Sequence, residues 1–175
     1  RVDYEVLEEY KEGLIALSAC LAGEVATYIR ENNYEKAKNT ALRLQDLFGK
    51  DNFFLELQDH GIPDQTKVNT ALLKMSKETG IDLVATNDIH YTFKEDAEAH
   101  DILLCIQTGK KVQDEDRMRY EGGQYYVKSE EEMKGLFPYA WEAVENTQRI
   151  ADRCNVEIEF GVTKLPKYDV PEGYD

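Results

Sequence analysis

The sequence predicts an α/β fold in which parallel strands alternate with helices. Three short apolar runs, each bounded by turn residues, have the composition of buried strands. Each run is followed by a stretch that carries apolar residues at helical spacing. Repeated βα units of this kind are typical of a parallel sheet or of part of a barrel.

The first half of the chain supplies these three units. After a short helix over 3–12, we predict strands at 14–20, 53–57 and 81–86. The first strand is expected to be buried, with Cys20 at its carboxyl end. Helices are predicted at about 23–31, 32–48 and 63–79. Asn32 and Glu35 have the spacing of a capping box, and Pro63 is placed where the last of these helices can begin.

The second half is predicted to be mainly helical. Helices are expected at about 95–107, 129–137 and 139–154, with a polar loop over 109–124 and short strands at 124–128 and 156–160. Ser129 and Glu132 form a second capping box. The stretch 161–175 carries two prolines and is predicted to be an extended linker.

Composition excludes several classes of protein. Among 175 residues, 35 are acidic and 21 basic, which gives a net charge of −14 and argues against a stand-alone nucleic-acid binder. No apolar run approaches the roughly 20 residues of a membrane span, so we expect no membrane partner. Three widely spaced cysteines are typical of a reducing cytoplasm and not of a disulfide framework. Because the chain begins with Arg1 and lacks a signal peptide, we expect a piece of a longer cytoplasmic protein.

Residues of metal-binding type follow the ends of two predicted strands. Cys20 ends the first strand, and Asp88 and His90 follow the third. In an extended backbone, residues two apart point to the same side, and a mixed set of N, O and S donors suits Zn²⁺ or Mn²⁺. The Asp-x-His pattern alone is weak. Cys20 could equally be a small buried hydrophobic residue, His90 a hydrogen-bonded structural histidine, and Asp88 the cap of a turn.

Other polar residues near the strand ends have simpler interpretations. Glu56 lies near the end of the second predicted strand and His60 follows it, and turn chemistry around Gly61 explains His60 without a metal. His100 falls on a predicted helix, where a solvated position or a role in supporting metal ligands is expected. The sequence contains no phosphate-binding loop, dinucleotide-binding glycine motif, nucleophile elbow or Cys-x-x-Cys pair.

Several segments together resemble the PHP (polymerase and histidinol phosphatase) domain of the DnaE-type α-subunit family of bacterial replicative polymerases. They are GLIALSACLAGEV, FFLELQDHGIPDQ, LVATNDIHY, EDAEAHDILLCIQTGK, ENTQRIADRCNVEIEFG and LPKYDVPEGYD. The resemblance covers essentially the whole chain. It implies that 1–160 is the later part of a PHP domain and that 161–175 leads into a polymerase module.

The resemblance implies a fragment of a distorted (β/α)7 barrel whose strand ends bind divalent metal ions. Cys20, Asp88 and His90 match metal ligands of that family, and Glu56, His60 and His100 are candidates for supporting positions. The family's remaining ligands, including an H-x-H motif, belong before this segment. Its polymerase carboxylates belong beyond residue 175, so no catalytic residue for polymerisation is expected here.

The implied function is that of part of a DNA-directed DNA polymerase. Its PHP portion would contribute ligands for Zn or Mn to a 3′→5′ proofreading exonuclease, and the polymerase module would use Mg. Expected partners are primer-template DNA, deoxynucleotides, a proofreading exonuclease subunit and a sliding clamp. The fragment alone is expected to lack nuclease activity and to self-associate through its open barrel edge. The alternatives are a non-catalytic PHP scaffold that docks a separate exonuclease subunit, and a stand-alone PHP phosphoesterase.

Overall fold

A computed structural model describes residues 2–166, 168–170 and 173. The described chain contains a three-stranded parallel sheet formed by β1 (Ala16–Leu17), β2 (Phe53–Leu57) and β3 (Leu83–Ala85), in the order β1-β2-β3. The predicted α/β class with parallel strands is therefore confirmed. The sheet is open, as expected of part of a (β/α) barrel.

The predicted helices are all present, with small shifts at their ends. They are α1 (Tyr4–Tyr10), α2 (Glu24–Arg30), α3 (Tyr34–Phe48), α4 (Pro63–Thr79), α5 (Ala97–Thr108), α6 (Glu130–Leu136) and α7 (Trp141–Ala151). Short 3-10 turns lie at Lys94–Asp96 and Glu121–Gly123. No helix within the described ranges is both long and apolar enough to cross a membrane.

Local capping signals account for where several helices begin and end. Pro63 is the first residue of α4, and Gly80 ends that helix in the left-handed conformation, with φ of 71°. The Ser129 hydroxyl accepts from the backbone N–H of Glu132, whose carboxylate accepts from the backbone N–H of Ser129 in return. The N-cap predicted for α3, Asn32, was one residue early, because the Asn33 side chain accepts from the N–H of Lys36 and so provides the cap.

The hydrophobic core lies around the central strand. Phe53, Leu55 and Leu57 of β2 are almost fully buried, and Leu72 and Met75 of α4 pack into the same cluster. Burying a side chain of this size contributes about 1.5–3 kcal/mol relative to leaving it exposed. Burial on this scale fixes the position of β2, and therefore of the loops that follow the strands.

The first strand differs from its prediction. Only Ala16 and Leu17 pair with β2, and Cys20 is exposed in the following turn. The backbone leaves the extended conformation at Ala19, where φ is 64°. β1 is an outer strand of the sheet and has a neighbouring strand on one side only. Its apolar run is therefore incompletely covered, and Leu17 stays 36% exposed. The expectation of a buried strand that ends in Cys20 was wrong.

The two later strands were also overpredicted. The stretch 124–128 makes one isolated parallel bridge, between Tyr91 and Tyr126. The alternating stretch 156–160 is not a strand and pairs with none in the described part of the chain, and Val156, Ile158 and Phe160 are highly exposed. Alternation is a property of the sequence, but a strand also needs a neighbour for its backbone hydrogen bonds. Of the predicted linker, residues 167, 171, 172, 174 and 175 lie outside the described residues, and the rest has no helix or strand.

Candidate metal-binding site

The carboxyl ends of the three strands lie at one edge of the sheet because the strands are parallel. Polar side chains join the strands at this edge. The Ser18 hydroxyl accepts from the N–H of Glu56 at 2.8 Å, and the Glu56 carboxylate accepts from the Thr86 hydroxyl at 2.5 Å. The Gln58 amide donates to both Glu56 and Thr86. Glu56 is therefore hydrogen-bonded to Ser18, which follows β1, and to Thr86, which follows β3. These bonds connect the starts of the two loops that carry the predicted ligands.

Cys20 lies in a tight turn that follows β1. Its carbonyl accepts from the N–H of Gly23 at 2.8 Å. A Cβ at Gly23 would lie 2.4 Å from the carbonyl oxygen of Ser18, so a side chain there would clash with the backbone. Cys20 lines a small cleft together with Glu56 and Gln58. The thiol is therefore accessible at the edge where the other predicted ligands emerge.

Asp88 and His90 belong to the exposed loop after β3. The Nδ1 atom of His90 lies 2.8 Å from the carbonyl oxygen of Asp88 and 3.8 Å from the nearer Asp88 carboxylate oxygen. A carbonyl oxygen can only accept, so Nδ1 carries the proton of the neutral imidazole. The lone pair is then on Nε2. This is the arrangement found in metal-binding histidines, whose second nitrogen is held by a backbone carbonyl or carboxylate.

The side chain of His90 packs into a group of aromatic rings. Its ring centroid lies 4.3 Å from that of Tyr120 and 5.4 Å from that of His100. Tyr120 in turn contacts Tyr125 edge to face at 4.8 Å. Burial, followed by the proximity of His90, lowers the pKa of His100, so its neutral form is favoured. The candidate supporting residue His100 thus lies directly beside a predicted ligand.

His60 is also part of this aromatic group, although the turn around Gly61 suggested otherwise. The turn itself is present, since the Asp59 carboxylate accepts from the N–H of Gly61 at 2.9 Å. His60, however, is 5% exposed and stacks flat on Tyr125 at 4.3 Å. Burial is the main cause that lowers its pKa, against a smaller opposite effect of Asp88. His60 is therefore a neutral, buried residue behind the loop of predicted ligands.

The structure brings the predicted ligands to one sheet edge without joining them in a complete site. Across the described residues, no group of three or more His, Cys, Asp or Glu side chains is arranged to hold a metal ion. The donor types and the orientation of His90 suit Zn²⁺ or Mn²⁺. A closed coordination shell would need the further ligands that the family resemblance places before this segment.

Sequence reasoning missed three residues that build this region. Gln65 holds His60, while Tyr120 and Tyr125 surround His90 and His60. Both tyrosines come from the stretch predicted as a polar loop and short strand. The number of tyrosines in this stretch was the available signal, since large aromatic residues seldom accumulate in a purely solvated loop.

Comparison with known proteins gives concordant results. Residues 1–60 match the family model of the PHP domain. The chain is 49% identical over 172 residues to DNA polymerase III subunit alpha of Borreliella burgdorferi, which covers 98% of this chain and 15% of that protein. Its identity to the subunit of the same name is 45% over 184 residues in Campylobacter jejuni and 41% over 179 residues in Thermus aquaticus, each alignment covering 99% of this chain and 15% of that protein. The chain therefore spans about 15% of the length of these relatives.

Proposed function

Because this chain matches the PHP region of DNA polymerase III alpha subunits, we propose that it is part of the catalytic alpha subunit of a bacterial replicative DNA polymerase. The observation that carries the proposal is the similarity along almost the whole chain. The parent subunit would extend a primer on a DNA template with deoxynucleotides, using Mg²⁺ in its polymerase module. A sliding clamp and a proofreading exonuclease subunit would be its partners in the cytoplasm.

Within that subunit, Cys20, Asp88 and His90 would hold divalent metal together with ligands from the rest of the PHP domain. The proton on His90 Nδ1 is directed to the Asp88 carbonyl, which keeps Nε2 available as a donor. Cys20 is exposed, so its thiol can lose a proton to become a thiolate beside a cation. Zn or Mn fits this mixed donor set better than Ca²⁺ does.

The proposed activity of this region is 3′→5′ hydrolysis of a phosphodiester. Bound ions would supply a hydroxide nucleophile and neutralise charge on the phosphate oxygens. The residues of this chain would fix the geometry. Asp88 would provide an anionic oxygen ligand, and His90 would keep its ring orientation through the Nδ1–H bond. This chain alone would not be a competent nuclease, because it carries only part of the ligand set.

A non-catalytic scaffold is the second candidate function. The observation that favours it is the lack of a complete three-ligand group among the described residues. In that case the PHP region would stiffen the polymerase and dock the proofreading subunit, and Cys20, Asp88 and His90 would have no shared ion to bind.

Metal analysis of the complete alpha subunit that carries this chain separates the two candidates. We expect stoichiometric Zn or Mn in the parent protein, and an affinity at least tenfold lower in each of Cys20→Ser, Asp88→Asn and His90→Gln. Cys154→Ser is the matched control, because Cys154 is also an exposed free cysteine but lies just after α7. A parent protein without stoichiometric metal would overturn the catalytic proposal in favour of the scaffold.

A further inference from the structure

We propose that His60 is a positioning residue that holds the 87–91 segment in place through a flat stack on Tyr125. The positioning role concerns only how firmly the 87–91 segment is held in one conformation. Its consequence for metal binding rests on the proposed function of Asp88 and His90.

The imidazole of His60 is fixed from one side by Gln65. The backbone N–H of His60 donates to Gln65 Oε1 at 2.8 Å, which sets the orientation of the glutamine amide. The amide nitrogen then donates to His60 Nδ1 at 2.9 Å. Both residues are 5% exposed, so neither bond competes with bulk water. His60 consequently has a single orientation, with its proton on Nε2.

On its other side, the ring of His60 stacks on the ring of Tyr125. The two rings lie 4.3 Å apart with an interplanar angle of 6°, which is a stacked arrangement with extensive contact. Tyr125 is 6% exposed and has few other positions available. The stack therefore fixes the place of Tyr125, which otherwise belongs to a stretch without regular secondary structure.

Tyr125 in turn holds the loop that carries the predicted ligands. Its carbonyl oxygen accepts from the N–H of His90 at 2.8 Å and from the N–H of Tyr91 at 3.3 Å. Next to it, the carbonyl oxygen of Tyr126 accepts from the Asn87 side chain at 2.6 Å. The loop is therefore attached at both ends to the 125–126 backbone, whose position depends on His60.

One buried atom of His60 supports a role beyond filling space. Its Nε2 is buried and makes no hydrogen bond of standard geometry within the described residues, although the Asn87 side chain lies close enough to interact with the imidazole. A phenylalanine would keep the stacked position but would leave the Gln65 amide nitrogen without its acceptor. His60 is therefore held by specific partners on both sides and does not only fill space.

The test compares His60→Ala, which removes the stack, with His60→Phe, which keeps it. Hydrogen exchange measured by mass spectrometry on the peptide 87–92 reports the His90 and Tyr91 amides within the complete alpha subunit. We expect at least tenfold faster exchange in this peptide for His60→Ala and near-parental exchange for His60→Phe. Met75→Ala is the control for general loss of stability, because Met75 is buried on α4 ten residues beyond Gln65.

A Mn²⁺ titration of the same proteins separates this inference from the proposed function. We expect the apparent Kd for Mn²⁺ to rise at least tenfold in His60→Ala and to recover in His60→Phe. Unchanged exchange in His60→Ala, or equal acceleration in Met75→Ala, would overturn the positioning role and leave the proposed metal site standing. Faster local exchange in a subunit that binds neither Mn²⁺ nor Zn²⁺ would support the positioning role and overturn the proposed metal site.

Discussion

Substituting Gln65 by leucine is expected to lower the free energy of unfolding measurably, because Gln65 makes two buried hydrogen bonds. Gln65→Leu removes the acceptor of the His60 backbone N–H and the donor to His60 Nδ1, two bonds of 2.8 and 2.9 Å. His60 is buried, so both groups would lose their partners without gaining water. Each such loss costs about 1–3 kcal/mol, and the added apolar burial of leucine offsets about 2 kcal/mol. With about 2 kcal/mol for each loss, we therefore expect a net loss of about 2 kcal/mol.

Urea denaturation followed by circular dichroism measures this change. A loss of this size lowers Tm by about 4–8 °C in a domain of this length. Thr66→Leu is the matched control, because Thr66 is the next residue on α4 and is exposed, so its effect should stay within about 0.5 kcal/mol. Equal stability of the Gln65→Leu and Thr66→Leu proteins would refute the assignment of two buried hydrogen bonds to Gln65.

Two further outcomes test how the framework of the site is held. Gly23→Ala places a Cβ 2.4 Å from a backbone carbonyl oxygen and should lower Tm markedly, whereas Gly135→Ala meets no atom within 4 Å and should raise stability by about 0.5–1 kcal/mol; matching melting curves would contradict this. The Tyr126 hydroxyl donates to Glu132 at 2.6 Å and holds the pKa of that carboxyl below its usual range. Because the folded-state pKa is lowered, this stabilisation is present above the ordinary pKa of about 4.3 and is lost as the pH falls below it. Tyr126→Phe should therefore lose stability near pH 7 and less of it near pH 3, and an equal loss at both pH values would exclude the bond.

The helices could be predicted well because their signals are local. Pro63 and Gly80 mark the ends of α4, and Ser129 with Glu132 marks the start of α6, through contacts within a few residues. The parallel sheet followed from the repeated order of strands and helices. These features depend on neighbours in sequence, so one chain without relatives was sufficient to find them.

The strand ends could not be predicted, because they depend on distant partners. The run 14–20 is apolar, yet β1 ends after Leu17 because it lies at the sheet edge and the chain turns at Ala19. The alternating stretch 156–160 has the pattern of a strand, but no strand in the described chain pairs with it. The hydrophobic pattern shows which face of a segment can be buried. Whether that face is buried depends on a neighbouring strand or helix elsewhere in the sequence.

The site was predictable in its residue types and not in its supporting contacts. Asp88 and His90 could be placed after a strand, and their spacing suggested a shared direction. The burial of His60 could not be foreseen, because it depends on Tyr125, which is far away in the sequence. The turn at Gly61 was predicted correctly, but it gave a local explanation for His60 and no indication of its stack on Tyr125.

The central claim is that Cys20, Asp88 and His90 together hold divalent metal in the complete subunit. X-ray absorption spectroscopy of the zinc-loaded alpha subunit tests it most directly. We expect a sulfur neighbour at about 2.3 Å and nitrogen neighbours at about 2.0–2.1 Å from zinc. The sulfur signal should disappear in Cys20→Ser and persist in Cys154→Ser. A zinc spectrum without sulfur, or one that Cys20→Ser leaves unchanged, would contradict the claim.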